Sequence, residues 1–194
     1  MTPAERAALL EGPLADLPDE APLVHSERMY AGRVWNVRRD RFRFGDHELT
    51  RDYVDHTGAV AVLARDGDRV LLINQYRHPI RSRDWELPAG LLDMEGEDPL
   101  AAAQRELAEE ADLVASEWSE LVVMATSPGG SDEVIRIYEA RGVREAPEVF
   151  ARTEEEAELV QRWVPLEEAV EAVLAGRLHN AVLLIAVLAA HARG

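Results

Sequence analysis

The chain has 194 residues and a mass of 21.6 kDa, with 37 acidic against 21 basic side chains, a net charge of −16, a pI near 4.7 and no cysteine. Such an acidic balance argues against binding a nucleic-acid backbone, where affinity is carried by Lys and Arg, and the absence of cysteine removes disulfides and thiolate chemistry. No apolar leader-like stretch and no uninterrupted 18-residue apolar span is present, so a cytoplasmic protein with no membrane partner is expected, one domain with an appended segment.

Residues 1–22 carry a short Ala-Leu stretch among Pro3, Pro13, Pro18 and Pro22 and read as a weakly ordered arm. From Val24 the pattern turns β-prone: Met29 to Phe44 partly alternates, Gly45-Asp46 is a turn, and His47 to Val54 returns. Residues 23–56 are therefore expected to form a small antiparallel sheet outside the main domain, residues 57–194. Gly58 opens the apolar run Ala59 to Ala64, Asp66-Gly67-Asp68 turns, and Arg69 to Tyr76 runs back, with Val70-Leu71-Leu72-Ile73 continuous enough for a buried strand. Trp118 to Ala125 and Val134 to Ala140 are predicted strands around the loop Ser127-Pro128-Gly129-Gly130-Ser131-Asp132-Glu133. An acidic tract, Glu154 to Glu158, precedes a short strand near Trp163-Val164. A helix then runs from Pro165 to about Ala175, Gly176 ends it, and Asn180 caps a last apolar helix through Ala190. The six histidines show no ligand spacing; His78 before Pro79 reads as loop, and His179 as helix-boundary polarity.

The densest pattern is residues 85–113, WELPAGLLDMEGEDPLAAAQRELAEEADL. Asp98 is a predicted N-cap, Pro99 suits the first helical position, and Pro99 to Ala111 has no internal breaker. At 3.6 residues per turn Glu106 and Glu110 lie one above the other, with Glu109 on the same flank. Like charges four apart cost roughly 0.2–0.5 kcal/mol per pair. A divalent cation reverses that sign, and hard Mg²⁺ or Mn²⁺ takes oxygen ligands of this kind. Three helical glutamates alone read first as a solvated charged face, and it is the surrounding pattern that favours the cation.

The stretch resembles the box of the Nudix hydrolase family: Gly, five residues, Glu, seven residues, Arg-Glu, an aliphatic residue, any residue, Glu-Glu, any residue, Gly, aliphatic. Here Gly90 is followed by Glu97, then after seven residues by Arg105-Glu106-Leu107-Ala108-Glu109-Glu110-Ala111-Asp112-Leu113. Two positions depart from the pattern. Six residues separate Gly90 from Glu97, with the extra one placed in the turn around Glu95-Gly96, and Asp112 stands where the second Gly belongs, a left-handed position that Asp tolerates. The resemblance implies an α/β/α sandwich with a mixed sheet and water attack on a nucleoside diphosphate linked to another moiety. It further implies Glu106 and Glu110 as primary metal ligands and catalytic groups, Glu109 as a further ligand or bridge, and the Ala89 carbonyl completing the shell for Mg²⁺ or Mn²⁺. Gly90, Glu97 and Arg105 are then structural; an ordinary ion pair of Arg105 with Glu109 is the alternative for that arginine.

More finely, the chain is similar to the ADP-ribose pyrophosphatase subfamily. Trp85-Glu86-Leu87-Pro88-Ala89-Gly90 matches that group's lead-in, although Trp85 reads equally as core. In Asn74-Gln75-Tyr76-Arg77 the resemblance gives Arg77 the diphosphate. In the loop at 127–133 it gives Gly129 and Gly130 close approach to the terminal ribose and Glu133 its hydroxyls. In the acidic tract Glu156 matches a glutamate that activates water or completes the metal site, with Glu155 and Glu158 as rivals. Trp35 and Arg51, on the N-terminal sheet, match residues that help hold adenine in a homodimer with exchanged sheets. The expected reaction is hydrolysis of ADP-ribose to AMP and ribose 5-phosphate. The alternatives are another nucleoside diphosphate sugar or a dinucleotide, or a non-catalytic module that senses ADP-ribose.

Overall fold

The computed structural model describes residues 2–148 and 158–194. A helix α1 (Pro3–Glu11) opens the chain, started by a reciprocal cap in which the Thr2 N–H donates to Glu5 at 2.5 Å and the Glu5 N–H donates to Thr2 Oγ1 at 3.2 Å. The rest of residues 12–22 forms no strand or helix. Three antiparallel strands follow, β1 (Leu23–Ala31), β2 (Asn36–Phe44) and β3 (His47–Asp55), in a sheet of their own. The single β-prone stretch expected over 29–44 is two strands, divided by a turn at residues 32–35.

A seven-stranded sheet holds the main domain together. Its centre is β4 (Ala59–Asp66), flanked by β5 (Arg69–Arg77) and β10 (Val134–Arg141), with β12 (Val160–Pro165) beyond β5 and β9 (Glu117–Ala125) beyond β10. Strands β4 and β10 run parallel; the other pairs are antiparallel. The first six residues of β4 are buried, as an apolar strand covered on both faces requires. Side chains alternate along it: Val60, Val62 and Ala64 pack with Ala102, Ala103, Leu107 and Ala111 of α2 (Pro99–Ala111). Ala59, Ala61 and Leu63 pack on the other face with residues of α3 (Leu166–Leu174) and α4 (Ala181–Arg193), among them Val170, Leu183 and Val187. That is an α/β/α sandwich with a mixed sheet. A two-stranded ribbon, β8 (Leu113–Val114) with β11 (Arg144–Glu145), sits beside α2.

One irregularity positions everything that follows. Pairing between β4 and β5 covers only Arg65 with Val70 and Asp66 with Arg69. Beyond that the two strands separate, and β5 pairs instead with β6 (Ser82–Glu86) while the start of β4 pairs with β7 (Ala89–Leu91). The sheet is split there by the segment linking β6 to β7, with Pro88 accepting from Val62 N–H at 2.8 Å. Neither β6 nor β7 has a signature in the sequence: they are five and three residues long, and pairing makes them strands, β6 folding back on β5 and β7 reaching the distant β4.

Candidate active site

Helix α2 starts at Asp98, whose carboxylate accepts from the N–H groups of Leu100 and Ala101 at 3.0 and 3.3 Å. It stops at Asp112, left-handed at φ 55°, whose N–H closes on Ala108. The extra box residue is absorbed by a turn, Glu97 N–H to Met94 C=O at 3.1 Å, with Gly96 at φ 79°. Because the apolar side of α2 is fixed against β4, the flank beside it presents Glu106, Glu109 and buried Glu110 to the β7 loop.

Contact there is close. A Cβ on Gly90 would lie 2.0 Å from the Glu106 carboxylate, so any larger residue has to displace that side chain from its place. Buried Glu110 accepts from the Ala89 N–H at 2.8 Å, and its backbone carbonyl accepts from Gln161 Nε2 at 3.0 Å. Arg105 does more than pair along the helix. Its Nε and Nη2 grip both oxygens of Glu97 at 3.0 and 3.1 Å, while Nη1 donates to Glu106 at 2.6 Å and Glu109 at 3.0 Å. The hydrogen bond from Arg105 holds the Glu97 carboxyl below its ordinary range, and that same bond is the leading cause that raises Arg105. Glu97 and Arg105 thus tie the turn to the helix.

Gln75, Arg77, Ala89, Gly90, Leu91, Asp93, Arg105, Glu106, Glu109 and Glu110 line a cavity of 320 Å³. Among the described residues no three Asp, Glu, His or Cys side chains are gathered so as to hold an ion as they stand. The donors nevertheless suit a hard divalent cation: they are oxygens, three carboxylates stand on one helical flank, and Gly90 keeps the facing backbone clear. Metal binding there has to draw Glu106 and Glu109 from Arg105, which keeps Glu97 as its partner.

The wall formed by Arg77, Ala89, Gly90 and Leu91 is shared with a larger cleft of 540 Å³. Arg77 is fixed in that wall by a bidentate pair with buried Glu86, at 2.9 and 2.7 Å. Trp85 is core, packed against the cluster under α3 and α4. Trp35 and Glu133 line the same cleft. Trp35 stacks on His56, centroids 4.0 Å apart and planes 20° off parallel. The Gly58 N–H donates to His56 Nδ1 at 2.9 Å, which puts the neutral ring's proton on Nε2, 3.0 Å from Glu133 Oε1. Glu133 Oε2 accepts from Thr126 at 2.5 Å.

Arg51 lies elsewhere, in a 430 Å³ cavity with Gly129, Gly130 and Glu133, its Nη1 donating to the Thr50 carbonyl at 2.8 Å. Within one chain Trp35 and Arg51, paired on the sequence as adenine contacts, therefore face different cavities that meet at Glu133. The loop at 127–133 is pinned to the N-terminal sheet: Val54 N–H donates to Gly130 at 2.9 Å, Asp132 N–H to Val54 at 3.3 Å, and His56 N–H to the Asp132 carboxylate at 2.8 Å. Glu155 and Glu156 lie outside the described residues, and exposed Glu158 pairs with Arg83. His78 and His179 take no part in these walls. His56 carried no signal in the sequence, and Glu86 and Gln75 stood inside matched stretches without a role of their own, since what distinguishes each is a partner or a cavity brought in by the fold.

A split mixed sheet between helices, with an Arg-Glu-x-x-Glu-Glu helix facing a glycine loop, defines a class of hydrolase acting on phosphate anhydrides. The chain belongs to the Nudix family: the sequence profile of the NUDIX domain matches residues 55–184. It is 44% identical to the ADP-ribose pyrophosphatase of Mycobacterium tuberculosis over 87% of this chain and 82% of that one. It is 33% identical to the methanol dehydrogenase activator of Bacillus methanolicus over 87% and 91%. A crystal structure of an ADP compounds hydrolase superposes with a TM-score of 0.77, covering 92% of this chain and 96% of that one at 20% identity, which shows the shared fold.

Proposed function

We propose that the protein hydrolyses the diphosphate linkage of ADP-ribose to AMP and ribose 5-phosphate with Mg²⁺, which Mn²⁺ can replace. The observation that carries this reading is the shared wall. An acidic cation-type cavity and an aromatic cleft meet at Arg77, Ala89, Gly90 and Leu91, the layout needed by a diphosphate with a nucleoside or sugar beside it.

Glu106, Glu110 and Glu109, with the Ala89 carbonyl, are the groups to hold the cation. Such a cation supplies charge neutralisation to the diphosphate and lowers the pKa of water. Arg77, held by Glu86, keeps a guanidinium on the diphosphate wall without having to be ordered by substrate. Trp35 offers its free face to adenine while His56 backs the other. Glu133 spends one lone pair per oxygen on His56 and Thr126 and keeps others for ribose hydroxyls, with Gly129 and Gly130 admitting the sugar and Arg51 the neighbouring cavity. Glu156 is the proposed acceptor for the proton of the attacking water, with Glu155 and Glu158 as its nearest competitors.

Two copies are proposed to pair through the N-terminal sheet. Its strands are mostly uncovered, with Met29, Tyr30, Val34, Trp35 and Phe44 exposed, and three strands without a covered apolar face are marginal alone. A cysteine-free chain suits the reducing cytoplasm.

Steady-state hydrolysis of ADP-ribose, ADP-glucose, GDP-mannose, NADH, ATP and a diadenosine polyphosphate, with Mg²⁺ and with chelator, tests the reading. Preference for ADP-ribose that vanishes on chelation is expected. Metal-dependent turnover of another compound alone overturns the substrate. Tight ADP-ribose binding with no turnover of anything makes the protein a sensor.

A further inference from the structure

The β5 strand carries an amide where its pattern calls for a hydrocarbon. Alternation puts residues 71, 73, 75 and 77 on the face toward α2; Leu71 and Ile73 are buried there, and Gln75 follows at 5% exposure. Its Oε1 has no hydrogen-bond partner among the described residues, yet the side chain lines the cavity of Glu106, Glu109 and Glu110. A buried acceptor without a donor costs stability that Leu at the same place does not. Gln75 therefore reads as built for a donor that enters with the reaction's components.

We propose that Gln75 is a positioning residue whose Oε1 accepts from a water in the hydration shell of the cation held by the α2 glutamates. The chemistry selects water: at neutral pH the diphosphate oxygens and the carboxylates have no proton to give, whereas a cation's aquo ligands are strong donors and Mg²⁺ retains several of them. The position also selects it, because Gln75 shares the cavity of the acids and is not in the wall of the larger cleft. Outer partners of this kind fix ligand geometry, and their loss typically costs about 10–100-fold in metal affinity or activity. This inference rests on the cation-dependent reading above but not on the identity of the nucleotide.

The test measures Mn²⁺ binding to the nucleotide-free protein by electron paramagnetic resonance, together with thermal unfolding without metal, for wild type, Gln75→Leu and Gln75→Glu. Gln75→Leu is expected to unfold at an equal or higher temperature than wild type while binding Mn²⁺ about tenfold more weakly. Gln75→Glu keeps an acceptor and is expected to bind Mn²⁺ at least as tightly as wild type. A lower unfolding temperature for Gln75→Leu with unchanged Mn²⁺ affinity overturns the proposal in favour of a packing role. If hydrolysis is added as a readout, Gln75→Leu should lower kcat with little change in KM. A KM rise that is larger for Gln75→Glu than for Gln75→Leu instead means that the amide donates to the diphosphate, which also overturns it. Should wild type bind Mn²⁺ but leave ADP-ribose intact, the substrate assignment fails and the Gln75 result still stands on its own.

Discussion

At Gly90 the backbone and the Glu106 carboxylate share space that a single added carbon would occupy. Gly90→Ala is therefore expected to push Glu106 off its position, costing about 1–3 kcal/mol in stability through overpacking and about 10–100-fold in kcat. Thermal unfolding and steady-state kinetics on the same preparation read both. Glu97 makes a pH prediction whose sign follows from its depressed carboxyl. Between the folded and unfolded pKa values the unfolded chain binds the extra proton, so stability rises with pH. The contribution is complete above about pH 4.3 and is lost as pH falls through the folded value. Glu97→Gln should lose stability at pH 7 but show a shallower acid limb than wild type in urea unfolding from pH 7 to 3; parallel limbs contradict the Arg105 clamp. His56→Phe keeps an aromatic partner for Trp35 and removes the donor to Glu133, so KM for ADP-ribose should rise about five- to tenfold with kcat close to wild type.

Among elements, α2 depends on its first turn. Replacing Asp98 by Ala leaves two N–H groups without their acceptor and should cost about 1 kcal/mol, read by urea unfolding as a lower midpoint at constant slope. The N-terminal sheet has an alkaline weakness instead. Burial, then the hydrogen bond to Asp40 at 3.0 Å, pushes the Tyr53 hydroxyl up to about 12. A raised folded pKa contributes stability below the unfolded value of about 10 and forfeits it as pH climbs through the folded one. Wild type should lose stability from pH 10 to 12, and Tyr53→Phe should lose less over that window; the same slope for both rules the tyrosine out. The β6–β7 segment shows how an element gains a role without a signal of its own. Wedged between β4 and β5, it brings Glu86 to Arg77 and Ala89 to Glu110.

For the whole molecule, the three-stranded sheet is tied to the domain mainly through the loop at 127–133. A second copy covering that sheet is the arrangement proposed here, and light scattering should give twice the 21.6 kDa chain mass. A monomer across the micromolar range removes the exchanged sheet and leaves Trp35 and Arg51 serving separate cavities of one chain. The net charge of −16 also predicts that substrate capture depends on metal as well as on Arg77. With metal in place, local charge outweighs the field of the whole protein beyond a Debye length of about 8 Å.

Much of this molecule could be read along the chain because the determinants are local. Asp98 and Asp112 bound α2 at the expected residues, the turn at Gly96 takes up the box insertion, and Asn180 caps the last helix. The period of an amphipathic helix likewise puts Glu106, Glu109 and Glu110 on one flank. What the order of residues could not contain is the split between β4 and β5, which depends on pairing across long stretches of chain. From that split come the wall shared by two cavities and the stranded Oε1 of Gln75. The proton on His56 is likewise decided by Gly58 and Glu133 together. Local propensity writes caps, turns and faces into a sequence; which polar atoms finish next to one another, and which finish alone, is settled only when distant strands pack.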